Sequence, residues 1–146
     1  MAGISNGNFA LSRYNVDGSP DIFFDGDGIQ TTDFGTNDFA TSIVVQKDGK
    51  ILTGGTMLAR YNADGSIDLS FNENGRIANA SNSIALQNDG KIVTVSSFYV
   101  NRYNTDGSID NTFGTWAGLQ FLFDSNNSGP SQWSANPLPF KIMIKL

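Results

Sequence analysis

Three versions of one twelve-residue phrase decide the fold of this chain. RYNVDGSPDIFF covers residues 13–24, RYNADGSIDLSF covers 60–71 and RYNTDGSIDNTF covers 102–113. We call each of them an RYN phrase. A second phrase, the DGK phrase, precedes the later two as QKDGKI (46–51) and QNDGKI (87–92). Because the two phrases recur in a fixed order about every 41 to 47 residues, they predict a repeat architecture in which each unit buries its apolar surface against its neighbours.

The segments around these phrases have the pattern of short β-strands. SIVVQ (42–46) and SIALQ (83–87) each lead into an Asp-Gly turn, which is a strong hairpin signal because Gly takes positive φ without steric cost. No apolar period of a helix is visible, so the predicted fold class is all-β, with tandem four-stranded antiparallel blades of the β-propeller type. The remaining strands are predicted at 51–56 and 92–97, at 57–62 and 98–104, and at 28–34, 75–80 and 118–123.

Composition excludes several classes of function. The chain has 9 basic and 14 acidic residues and a formal charge of −5, which argues against general binding to nucleic acid or to anionic membranes. No apolar stretch approaches the length of a membrane span. Without Cys or His, Ser-His-Asp and Cys-His catalysis and zinc sites made from Cys and His are excluded. We therefore expect a protein that is not an enzyme and has no cofactor.

The order of the two phrases resembles a known family. RYNxDGSxDxxF together with QxDGKI is similar to the delta-60 repeat, the DUF5122 β-propeller family, over residues 9–123 approximately. The resemblance implies a propeller fold and no defined activity. It also implies a location outside the cell or at its surface, although the N-terminus has no visible secretion signal.

The repeats predict how the chain is divided. Residues 1–123 hold the repeats, as half a blade at 9–34 and full blades at 40–80 and 83–123. About two and a half blades per chain would form an incomplete ring, since propellers usually have about four to eight. Residues 124–146 are expected to be an irregular tail that ends in a strand at 140–146, which could complete the N-terminal half blade within one chain or between chains.

The RYN phrase also offers oxygen atoms at alternate positions, as calcium sites do. The stretch FDGDG (24–28) adds two more carboxylates. The opposing interpretation is that Asn and Asp bond to their own backbone in tight turns, which better explains their presence in every turn. Calcium is therefore a secondary hypothesis, and its candidate ligands are Asn15, Asp17, Asp21, Asp25 and Asp27.

The Arg and Tyr that open each RYN phrase are predicted to serve the scaffold. Neighbouring residues on a strand point to opposite faces, so one residue of each pair should lie between blades. A buried Arg needs a carboxylate, and the Asp eight residues later is the natural partner. The pairs are Arg13 and Asp21, Arg60 and Asp68, and Arg102 and Asp110.

These observations favour a structural or interaction module that associates with itself through incomplete blades. Such chains could close into an oligomeric ring or continue head to tail as a filament, or the chain could be part of a longer propeller. The alternative function is a carbohydrate-binding propeller assembled by oligomerisation, with glycans stacked on exposed aromatic residues such as Trp116. Trp133 is a second aromatic residue outside the repeats.

Overall fold

The computed structural model describes residues 1–35, 37–78, 83–96 and 99–114, and the backbone of 119–121. These residues form strands and turns, with one short 3₁₀ helix at Phe71–Glu73. The predicted tail and its strand at 140–146, like Trp116 and Trp133, lie outside the described residues. The strands are β1 Ala2–Ser5, β2 Asn8–Ser12, β3 Ile29–Thr32, β4 Ala40–Val45, β5 Ile51–Gly55, β6 Met57–Tyr61, β7 Arg76–Ala78, β8 Ser83–Leu86, β9 Ile92–Val95, β10 Tyr99–Tyr103 and β11 Leu119–Phe121.

The strands form three antiparallel sheets that follow the order of the chain. Sheet 1 contains β1 to β3, sheet 2 contains β4 to β7 and sheet 3 contains β8 to β11, and each strand pairs with the next along the chain. The all-β class and the four-stranded antiparallel units are therefore confirmed. No helix in the described part of the chain is long and apolar enough to cross a membrane.

Turn chemistry sets the register of sheets 2 and 3. The N–H of Gln46 donates to the carbonyl of Lys50 at 2.7 Å, and the N–H of Gln87 donates to Lys91 at 2.9 Å. These bonds close the DGK turns and place Val45 opposite Ile51 and Leu86 opposite Ile92. The Asp-Gly pairs thus form the predicted hairpins.

Sheet 1 has one strand more than the repeat pattern predicts for it. The pattern predicts two strands between residues 9 and 34, and the structure adds β1, which pairs with β2. The connection is Asn6-Gly7, with φ of 51° and 83°. Positive φ at both central residues is the geometry of a type I′ hairpin, for which Asn-Gly is the preferred sequence.

The core lies between the sheets in two layers. Ile51, Ala59 and Tyr61 pack with Leu11 and Phe24 between sheets 1 and 2. Alternation sends the neighbours of these sheet 2 residues to the opposite face, where they form the layer against sheet 3. Both faces of sheet 2 are consequently covered. Burial of one Leu side chain there contributes roughly 1.5–3 kcal/mol to the free energy of unfolding. This second layer contains Leu52, Leu58, Phe71, Ile92 and Tyr103.

Candidate functional site

The first half of each RYN phrase folds into a turn that its own side chains hold. In sheet 2, the N–H of Asn62 donates to the carbonyl of Ser66 at 2.8 Å. Oδ1 of Asp64 accepts hydrogen bonds from the N–H and the hydroxyl of Ser66, at 3.0 and 2.6 Å. These bonds from Ser66 keep the pKa of Asp64 below its ordinary value. The turns of sheets 1 and 3 repeat the same side-chain bonds, and we call all three NxDG turns.

The second Asp of each phrase binds the Arg that opens it. Nε of Arg60 lies 2.6 Å from Oδ2 of Asp68, and Nζ of Lys50 lies 2.6 Å from the same oxygen. Burial raises the pKa of Asp68, but hydrogen bonds from Lys50, Ser70 and Arg60 outweigh burial and bring the pKa below its ordinary value. The carboxylate is therefore ionised at neutral pH, in a site that is almost closed to solvent.

The predicted partnership between Arg and Asp is confirmed in all three phrases. Nε of Arg13 lies 2.7 Å from Asp21, and Nε of Arg102 lies 2.7 Å from Asp110. Hydrogen bonds from Lys91 and Thr112 lower the pKa of Asp110. Each phrase is thus closed by an ion pair between its first and ninth residues.

Each of the first two Arg residues also reaches the next sheet. Nη1 of Arg60 donates to the carbonyl of Thr105 in the NxDG turn of sheet 3, at 2.5 Å. Nη1 of Arg13 donates in the same way to the carbonyl of Ala63 in the turn of sheet 2. The guanidinium therefore joins its own Asp to the main chain of the neighbouring sheet.

The Phe that ends each of the first two phrases packs against the glycine of the next NxDG turn. The guanidinium of Arg60 lies over the ring of Phe71, 4.6 Å from its centre. The same ring also packs against Gly107, where a Cβ would come within 2.8 Å of Cε2 of Phe71. Phe24 and Gly65 repeat the arrangement, with a corresponding distance of 3.2 Å. Only glycine fits, because it leaves room for the ring and takes the φ of 90° found at Gly107.

A main-chain hydrogen bond completes the contact between sheets. The residue after Phe24 and the residue after Phe71 each donate an N–H to the Asp carbonyl of the next NxDG turn, from Asp25 to Asp64 and from Asn72 to Asp106, both at 2.8 Å. We call this set of contacts the joint: the Arg and Phe of one sheet on the NxDG turn of the next. The described residues contain it twice, between sheets 1 and 2 and between sheets 2 and 3.

Tyr61 and Tyr103 lie on the face opposite to the Arg of their phrase, towards the preceding sheet. Tyr61 is 0% exposed and Tyr103 is 7% exposed. The hydroxyl of Tyr61 donates to Oγ1 of Thr32 across the sheets at 3.0 Å, and burial raises the pKa of Tyr61 to about 12. Strand alternation predicts that one residue of each pair lies between blades; in sheet 2 both Arg60 and Tyr61 are buried, on opposite faces.

The five candidate calcium ligands are occupied mainly by local contacts. Asn15 and Asp17 bond to Ser19 in the turn, and Asp21 binds Arg13 and the N–H of Phe23. Oδ1 of Asp27 accepts from the N–H of Ile29 at 2.8 Å, while Asp25 contributes its main chain to the joint. In the part of the chain that the structure describes, no group of three or more acidic, His or Cys side chains could hold a metal ion. Calcium binding stays a prediction.

Comparison with protein families agrees with this geometry. A family model described as a domain of unknown function, DUF5122 β-propeller, matches residues 46–71 and 87–113. Each match begins at the Gln of a DGK phrase and ends at the Phe of the following RYN phrase. The two matched stretches are similar to DUF5122 β-propeller repeats. No curated protein matches the sequence, and the family description assigns no function. The match indicates a propeller-like domain, and the joint between sheets 2 and 3 is the contact between the two matched repeats.

Proposed function

We propose that this chain is a non-enzymatic structural module whose outer sheets bind further copies of the chain, to give an oligomeric ring or a head-to-tail filament. In this proposal the three sheets are consecutive blades, too few to close a ring alone, because propellers usually contain about four to eight. The resemblance to the delta-60 family supports a location outside the cell or at its surface.

The observation that carries the proposal is the unequal exposure of three equivalent tyrosines. Tyr61 and Tyr103 are buried by the sheet that precedes each of them, whereas Tyr14 is 51% exposed. Among the described residues no sheet precedes sheet 1. Tyr14 thus belongs to a surface of the same design as two buried ones, and a further blade would bury it.

The exposed aromatic residues give less support to the carbohydrate-binding alternative. A lectin built from repeats needs equivalent aromatic positions in successive repeats. Phe23 is 82% exposed, but the equivalent positions hold Ser70 and Thr112. We therefore favour self-association over glycan binding.

Light scattering coupled to size exclusion tests the proposal. One chain has a mass of 15.7 kDa, and we expect a multiple of this mass that falls when the protein is diluted. A particle with the mass of one chain at all concentrations would contradict the proposal. Binding of immobilised glycans by such a monomer would favour the alternative.

A further inference from the structure

We propose that two copies of the chain join head to tail, with sheet 3 of one copy against sheet 1 of the next, through a third instance of the internal joint. The inference rests on the proposed self-association and specifies its surfaces. We call the Arg102, Asp110 and Phe113 group of sheet 3 the donor end. We call the surface made by Tyr14 and the NxDG turn of sheet 1 the acceptor end.

The donor end already has the geometry of a working joint. Nε of Arg102 binds Asp110 at 2.7 Å, and the guanidinium lies 4.6 Å from the ring centre of Phe113. Arg60 makes the same two contacts within the joint of sheet 2, at 2.6 Å and 4.6 Å. Nη1 of Arg60 donates to the next turn, but no acceptor for Nη1 of Arg102 is found among the described residues.

The acceptor end has the geometry of a turn that receives a joint. In this turn the N–H of Asn15 donates to the carbonyl of Ser19 at 2.9 Å. The equivalent hydrogen bond is 2.8 Å long in each of the other two turns. Gly18 has a φ of 85°, close to the 96° of Gly65 and the 90° of Gly107. Those two glycines contact a Phe ring, whereas Gly18 is exposed, with no atom from elsewhere in the described chain within 4 Å of its Cβ position. The carbonyls of Val16 and Asp17 are the equivalents of the acceptors in the internal joints.

The sheet faces beside the two ends continue the same pattern. Val93, Val95 and Val100 lie on the face of sheet 3 that carries Arg102, according to the strand register. In sheet 2 the face that carries Arg60 holds Leu52 and Leu58, which sheet 3 covers completely. Val95 is 38% exposed. This apolar face adjoins a guanidinium whose Nη1 has no acceptor among the described residues, and it therefore fits another sheet of this chain.

A second copy is the occupant that these observations select. The chain itself contains both halves of the joint, and two internal joints demonstrate how the halves fit. Because the donor and acceptor ends differ, the contact is heterologous, and it closes into a ring or continues as a filament according to the rotation between copies.

Complementation between two variants tests this arrangement. Arg102→Ala removes the donor, and Tyr14→Glu places a charge on the acceptor end at a residue that is half exposed in the single chain. Each variant alone keeps one intact end, so we expect each to lose self-association by about 30-fold or more, as for the loss of one hydrogen-bonded interface charge. Mixed together, they should form a dimer through the intact donor of one and the intact acceptor of the other. That dimer would also demonstrate that both variants are folded.

The outcomes separate this inference from the proposed function. Lys47→Asn is the control and should associate like the parent, since Lys47 is exposed in the DGK turn of sheet 2, belongs to neither end, and is Asn88 at the equivalent position of sheet 3. If the parent associates and both variants associate equally well, or the mixture of variants stays monomeric, the head-to-tail joint is refuted and self-association stands. A monomeric parent chain would refute both.

Discussion

Substitution of Gly107 by Ala measures how much the contact between phenylalanine and glycine contributes to the joint. The new methyl group would lie 2.8 Å from Cε2 of Phe71, a ring that is fully buried and has no room to move away. Overpacking of this kind costs about 1–3 kcal/mol. A positive φ costs a non-glycine residue about 1–2 kcal/mol in addition. We therefore expect Gly107→Ala to lower the free energy of unfolding by about 2–5 kcal/mol.

Gly18→Ala is the matched control for this substitution. Gly18 has nearly the same φ, 85° against 90°, in the same kind of turn, but no other part of the described chain lies within 4 Å of its Cβ position. The free energy of unfolding of Gly18→Ala should fall only by the cost of the positive φ, about 1–2 kcal/mol. Both variants are compared by equilibrium urea unfolding, at protein concentrations low enough to prevent self-association. Equal losses at the two positions would refute the idea that the Phe ring requires glycine on the facing turn.

Further predictions concern charge. Asp68→Ala leaves the nearly buried Arg60 without its carboxylate and should cost about 3–5 kcal/mol of unfolding free energy in urea titrations. Because the folded pKa of Asp68 lies below its ordinary 3.8, parent stability should fall as pH drops below about 4, and this slope should weaken in Asp68→Asn. The raised pKa of Tyr61, about 12, predicts that stability declines between about pH 10 and pH 12; Tyr61→Phe should reduce the decline measured by circular dichroism. Removal of calcium by chelator should leave the particle mass unchanged, since local contacts satisfy the turn carboxylates; dissociation would instead favour a calcium site.

Local chemistry explains why much of this fold could be predicted from the sequence. The DGK turns need only Asp and Gly between short apolar runs, and they form where the pattern places them. The pair of Arg60 and Asp68 was predictable because a buried guanidinium requires a carboxylate and the repeat offers one at a constant distance. These features depend on a few neighbouring residues, so the sequence pattern contains them.

The remaining features depend on how the sheets stack. Nothing in the RYN phrase alone says that Arg13 will bind a carbonyl of the next phrase, or that Phe24 will contact Gly65. Phe and Gly recur at fixed positions of the phrase, but the recurrence alone does not say that they touch. The contact is formed only when the neighbouring sheet stacks against the first. Strand β1 is different, because its signal was local. The Asn6-Gly7 turn predicts a hairpin, but it has no counterpart in the other repeats, so the repeat pattern does not predict β1.

On the NxDG turn, the joint contacts main-chain atoms rather than side chains. This explains which positions of the RYN phrase differ between repeats. The residue whose carbonyl accepts from Arg is Ala63 or Thr105, and its equivalent in the first phrase is Val16, while Asn, Asp, Gly and Ser around it are the same in all three phrases. The joint itself therefore requires no new complementary side chains when one repeat follows another. Duplication or deletion of whole units would lengthen or shorten such an array, and each unit would carry its own half of the joint.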